Sequence, residues 1–185
     1  MKARLLVIAA LFIGLTGYAQ NAKFFYGAYG SVKTVVAWNG IKVPDHTVLG
    51  IRIVADKAIY GGGLSYEDWV AVAPEVESEF TELVDRCADG ANKRMIRSGQ
   101  NIYFTSKAEG REFLVTFVLR QVSRQGDSVA DVTIETPGGG QAVILTLKGG
   151  GGTKGSFFNL MGDGMESLGY ELGKLMSKAH FYNKI

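Results

Sequence analysis

Between Glu112 and Lys148, three strand-length runs are separated only by "SRQGDS" and "PGGG": "EFLVTFVLRQV", Val129 to Thr136, and Ala142 to Lys148. Parallel neighbours need a crossover of a dozen or more residues, so links this short predict an antiparallel meander. The first run carries apolar residues at both parities, which reads as a strand in the middle of a sheet with both faces covered. The remaining elements must fit around this sheet.

Upstream, Val32 to Trp38 reads as a strand within the aromatic, glycine-punctuated "KFFYGAYGSVKTVVAWNG". Pro44 in "IKVPDH" lacks a donor and restricts its predecessor, so that stretch is a connection. In "TVLGIRIVADKAIY" the alternation of Ile51 and Ile53 with Arg52 and Val54 indicates another strand. Gly61 to Gly63 end it, and Ser65 with Asp68 has the spacing of a capping box opening a helical turn.

Pro74 to Ser98 reads as a helix. Glu75, Glu77, Glu79 and Glu82 crowd its start, Lys93, Arg94 and Arg97 its end, and Gly99 supplies a left-handed stop. Val76, Phe80, Leu83, Cys87 and Ala91 form one apolar stripe. Cys87, the only cysteine, sits inside that stripe and reads as a small core residue; no internal disulfide can form.

The fold class is α+β: a mostly antiparallel or mixed sheet with two main helices, about 74–98 and 157–178, packed on it. The chain divides into a signal peptide (1–19), an aromatic, Gly-rich segment with a strand (20–47) and a single α+β domain (48–180). Lys2 and Arg4 precede the apolar Leu5 to Gly17, and Gly17 and Ala19 suit the −3 and −1 positions of a cleavage site. That apolar stretch is short of the roughly 20 residues needed to span a bilayer. Export to the periplasm or beyond the cell, cleavage after Ala19 and a soluble mature chain are expected. No cysteine near the site offers a lipid anchor, and no transmembrane segment is expected in the mature chain.

The chain has 20 basic and 18 acidic residues. Cleavage removes Lys2 and Arg4, so the mature charge balances, which argues against a nucleic-acid binder.

The run "LKGGGGTKGSFFNLMGDGMESLGYELGKLM" tests for a phosphate cradle. Gly150, Gly152 and Gly155 satisfy G-x-G-x-x-G, but a dinucleotide fold needs a further strand after the helix, and "HFYNKI" provides none. Glu171 falls inside the helix, and Lys154 is followed by Gly155 rather than Ser or Thr, so a Walker loop fails too. The glycine run reads instead as a flexible strand-to-helix connection, with an anion at the helix start a minor option. In the helix, Met161, Met165, Leu168, Leu172, Leu175 and Met176 share a face, flanked by Gly162, Gly169 and Gly173. Glycine costs a helix about 1 kcal/mol against alanine, so this flank marks a close approach. Packing on the sheet is the first reading and a self-association seam the second.

No catalytic constellation stands out. His46 and His180 are isolated, no metal spacing occurs, no G-x-S-x-G occurs, and no cofactor is implied. The carboxylates Glu109, Glu112, Asp127, Asp131 and Glu135 lie on strands and turns without a distinguishing pair. Trp38, Tyr60, Tyr66 and Trp69, beside glycines or turns, are the candidate ligand- or partner-binding aromatics.

The order of early strands, the helix "PEVESEFTELVDRCADGANKRMIRSG", the strand "NIYFTS", the meander and the helix "FNLMGDGMESLGYELGKLM" resembles a loose group of secreted bacterial envelope proteins. These are distantly similar to the curli-export and penicillin-binding-protein-activator lipoproteins. The resemblance covers about residues 48 to 178 as an order of elements, and this chain departs from it in lacking the lipidated cysteine. It implies a non-enzymatic role in envelope assembly or interaction, with another envelope protein or a second copy as partner. A small-ligand or glycan binder built on the four aromatics is the alternative, and a carboxylate-based hydrolase a second.

Overall fold

Burial alternates residue by residue along the central strands, because a strand covered on one face points every second side chain at its cover. A computed structural model of the chain describes residues 32–38 and 43–182. The expected signal peptide, the aromatic segment up to Ser31 and the side chain of Trp38 lie outside the described residues. The strands are β1 (Val32–Trp38), β2 (Val48–Val54), β3 (Ile59–Tyr60), β4 (Tyr103–Thr105), β5 (Leu114–Val122), β6 (Ser128–Glu135) and β7 (Gln141–Gly149). The helices are α1 (Tyr66–Val72), α2 (Glu75–Ser78), α3 (Phe80–Arg97) and α4 (Phe157–Tyr182).

One mixed, open sheet results, in the order β1-β7-β6-β5-β2-β4, with β3 pairing β5 beyond the end of β2. The meander β5-β6-β7 is antiparallel, as its short links require. β2 runs parallel to both β5 and β4, which is possible because longer connections containing α1, α2 and α3 intervene. β1 pairs antiparallel with β7, so the N-terminal strand belongs to the same sheet.

The helices α3 and α4 cover one face of this sheet. Beneath them lie Leu49, Ile51 and Ile53 of β2, Val115, Phe117 and Leu119 of β5, Ala130, Val132 and Ile134 of β6, and Val143, Leu145 and Leu147 of β7, all buried. The helical stripes supply the other half: Leu83, Cys87, Ala91 and Met95 from α3, and Met161, Met165, Leu168, Leu172, Leu175 and Met176 from α4. The expected helix over 74–98 is broken at Glu79, which has φ −104° and ψ 9°. Continuous burial starts only at Phe80 and Leu83, while Glu75, Glu77 and Ser78 are exposed, so nothing holds the first turn to the axis of α3.

β5 is central but not covered on both faces. Its burial alternates, and Leu114, Thr116 and Val118 on the far side are only half-buried. No described helix lies over that side. Outward β-branched residues gave this run its two-sided apolar look, although Val and Thr also suit a half-exposed pleat.

Candidate functional site

The aromatics singled out by the sequence separate into different environments. Tyr60 and Trp69 are buried, at 0% and 1% exposure, and stack with centroids 4.0 Å apart at 17°. Phe157 meets the Trp69 ring edge-on at 5.3 Å. The Tyr60 hydroxyl donates to the Ala55 carbonyl at 2.7 Å, and burial pushes its phenol well above the usual range. Only Tyr66 remains half-buried, packed 6.1 Å from Tyr60. Of the candidate binding aromatics, Tyr60 and Trp69 therefore lie in the core rather than at the surface. They join β3 and α1 to the start of α4. The capping box expected at Ser65 and Asp68 forms, with the Asp68 N–H donating to the Ser65 hydroxyl at 3.1 Å, and starts a helix that turns Trp69 inward.

The glycine flank of α4 meets α3 rather than the sheet. A Cβ on Gly169 would fall on the Cys87 carbonyl, and one on Gly173 would lie 2.7 Å from the Ala91 carbonyl oxygen. Gly162 serves differently: the stem and guanidinium of Arg86 lie across it, 2.7 and 2.5 Å from where its Cβ would stand. From α3, Gly90 presents the same bareness to the Glu166 carbonyl. Sequence reasoning missed Gly90, although it lies in the same helix-with-glycine pattern. Backbones at this separation gain close packing that any side chain would prevent.

The run Gly149 to Gly152 is pinned, which corrects the expectation of a flexible connection. Gly150 N–H donates to the Ser167 hydroxyl at 2.9 Å and Gly151 N–H to the Asp127 carboxylate at 3.1 Å. Two of the amides offered for an anion are thereby occupied. Asp127 also accepts from the Ser123 hydroxyl at 3.0 Å. The Gly151 amide, then the Ser123 hydroxyl and the charge of Lys148, hold the Asp127 carboxyl below the usual carboxylate range against the opposing effect of burial. Cβ atoms at Gly151, Gly164 and Gly126 would each strike backbone, so the β5–β6 turn, this loop and α4 interlock.

Beside the pinned loop lies an open groove of about 480 Å³ lined by Gly151, Gly152, Thr153, Asp163, Glu166, Ser167 and Tyr170. Its charges are paired from α3: Arg86 stands 3.7 Å from Asp163, and Lys93 bonds Glu166 at 2.5 Å. The guanidinium groups of Arg97 and Arg94 beside Tyr170 hold its phenol below the ordinary value. Among the described residues no group of three or more His, Cys, Asp or Glu is placed to hold a metal.

The side of the sheet that no described helix covers forms a second surface. Arg120 bonds Asp131 at 2.5 Å, and the Thr146 hydroxyl donates to the other Asp131 oxygen at 2.6 Å. Around this network stand half-buried Val54, Val118 and Ile144 and exposed Arg52 and Lys148. Ala108, from the loop before β5, crosses the sheet at Gly50, where a Cβ would lie 2.6 Å from the Ala108 Cα. Of the other carboxylates, Glu109 and Glu112 are exposed in that loop and Glu135 ends β6. Asp127 and Asp131 have separate partners. Cys87 is fully buried, and desolvation pushes its thiol far above the usual range, as its place in the stripe implies.

The class these observations define is an α+β protein with an open mixed sheet, one face of which no described helix covers. No protein-family model and no curated protein matches the chain. Among solved structures it is similar to one described only as an uncharacterised protein, at 8% identity and TM-score 0.39, covering 75% of this chain and 95% of that one. It is also similar to a PelC dodecamer from Paraburkholderia phytofirmans, at 11% identity and TM-score 0.33, covering 80% of this chain and 94% of that one.

Proposed function

We propose that this chain is a non-enzymatic, exported envelope protein that binds another protein through the uncovered sheet face. The observation that supports this reading is the composition of that face. Half-buried Val54, Val118 and Ile144 lie around the Asp131–Arg120–Thr146 network, and the described face carries Arg52, Arg120 and Lys148 against Asp131 and Glu135. Apolar and polar groups interspersed over one face are the composition of a non-obligate protein interface, and the basic excess fits a partner that presents carboxylates. The envelope setting rests on the N-terminal sequence. In the described residues no helix is long and apolar enough to cross a membrane.

The test is capture of an acidic partner from an envelope extract by the purified protein, compared with Ile144→Lys, alongside light scattering of each. Loss of capture by the folded variant supports the reading. Equal capture by both, or no partner and a monomer throughout, overturns it.

A further inference from the structure

We propose that the groove between the pinned glycine loop and α4 binds a neutral, hydroxyl-rich ligand, a saccharide unit, independently of the sheet face. The volume, about 480 Å³, falls within the roughly 300–1,000 Å³ usual for small-molecule sites. The ligand class follows from the lining.

Charge selects against an ionic ligand. Asp163 and Glu166 both reach the groove, yet each has a cation partner on α3. An ammonium ligand would meet the like charge of Arg86 or Lys93, and an anion would meet two carboxylates. A ligand hydroxyl meets neither obstacle. The carboxylate side chains remain 48% and 37% exposed, and carboxylate oxygens accept several hydrogen bonds each. Ser167 Oγ already accepts the Gly150 N–H, which directs its own proton elsewhere, and Thr153 adds a second hydroxyl. Neighbouring acceptors and donors of this kind match the vicinal hydroxyls of a sugar ring.

Tyr170 supplies the apolar counterpart. Arg94 and Arg97 stand 5.8 and 5.9 Å from its ring centroid, near the outer limit of about 6 Å for a cation–π contact. The two guanidinium groups over the ring hold its orientation, and the part of the ring that lines the groove offers an apolar contact to the C–H face of a sugar. The site is also rigid before any ligand arrives. The loop is tied to Ser167 and Asp127, and α3 and α4 are locked by Gly90, Gly169 and Gly173, so little ordering entropy is lost on binding.

Maltotriose, cellotriose and tri-N-acetylchitotriose are titrated into the purified protein by amide NMR, with spermidine and inorganic phosphate as charged probes. At least one neutral trisaccharide is expected to shift the Gly151, Gly152, Ser167 and Tyr170 resonances with millimolar affinity. Tyr170→Ala and Glu166→Gln each weaken that binding about tenfold or more, while Tyr170→Phe retains most of it. Unchanged melting temperatures confirm that the variants fold, and Glu166→Gln decides the matter if Tyr170→Ala does not. No response to any trisaccharide, binding indifferent to both variants, or response only to spermidine or phosphate overturns the proposal. None of these outcomes bears on the sheet face, so the two readings fail separately.

Discussion

Gly169 lies against Cys87 so closely that a methyl group on the glycine would coincide with the cysteine's carbonyl oxygen. Helix propensity alone favours Gly169→Ala by about 1 kcal/mol. Overpacking a tight interior costs about 1–3 kcal/mol or more, and backbone on both sides leaves no flexible group to yield. Gly169→Ala and Gly90→Ala are therefore each expected to lower stability by about 2 kcal/mol or more in urea denaturation. Gly140→Ala, whose nearest neighbour would be the Thr136 hydroxyl at 3.3 Å, is the control with a small effect. Wild-type stability in Gly169→Ala would show that the helices are not in this contact.

Asn92 holds the strand at the sheet's edge. Its amide donates to the Phe104 carbonyl at 2.9 Å and accepts the Phe104 N–H at 2.7 Å, so a side chain of α3 satisfies the backbone that a further strand would otherwise pair. Removing two part-buried hydrogen bonds costs about 1–3 kcal/mol. Asn92→Ala is expected to lose that much, with amide exchange at Phe104 faster by about tenfold or more. Asn92→Asp keeps the acceptor of the Phe104 N–H but sets a carboxylate against the Phe104 carbonyl, and should restore protection of that amide without restoring stability.

The carboxyl of Asp127 is held below its ordinary value chiefly by the Gly151 N–H. A carboxyl depressed in the folded state contributes stability above its unfolded value and loses it as the pH falls through the folded one. The contribution is thus present at neutral pH and disappears below the ordinary carboxylate value of 3.8. Urea midpoints measured from pH 7 downward should fall in that acid range, and Asp127→Asn should flatten the fall. Asp127→Ala costs about 1–2 kcal/mol at neutral pH. An unchanged acid slope in Asp127→Asn would show that the Asp127 carboxylate does not hold the Gly151 amide.

Elements written in local pattern were legible in the sequence. The meander follows from link length, the stripes of α3 and α4 from periodicity, and α1 from Ser65 and Asp68. What depended on distant partners was not. A glycine flank announces that something comes close but does not name it; here the partner is the Cys87–Ala91 turn of α3. The turn residues around Tyr60 and Trp69 concealed a stack completed by Phe157, far away in the chain. Glycines at Gly149 to Gly152 read as slack because their restraints, Asp127 and Ser167, come from the β5–β6 turn and from the next helix. The groove was invisible for the same reason, since its lining is assembled from the loop and successive turns of α4.

Burial and a raised thiol pKa make Cys87 unreactive in the folded protein. A maleimide or disulfide reagent is expected to leave it unmodified under native conditions and to label it fully in denaturant. Labelling should track unfolding across a urea series. Rapid native labelling would mean that α3 separates from α4 and the sheet on that timescale, contrary to the interlocked glycines.

The sheet face gives the last test, because stability and binding should separate there. Ile144 is half-buried and pairs in register with Thr133, while the neighbouring pair is Asp131 with Thr146. A lysine at position 144 extends its amine to water along the open face. The expected loss of stability is therefore about 1 kcal/mol, below the 2–5 kcal/mol typical of large-to-small changes in a core. Leu145→Ala, on the covered face, should show that larger cost. If the open face binds a partner, Ile144→Lys abolishes capture at near-wild-type stability, whereas Leu145→Ala, where it remains folded, retains capture. The reverse pattern, stability lost at Ile144 and capture unaffected, would mean that the face is covered within the chain and that the partner-binding surface lies elsewhere.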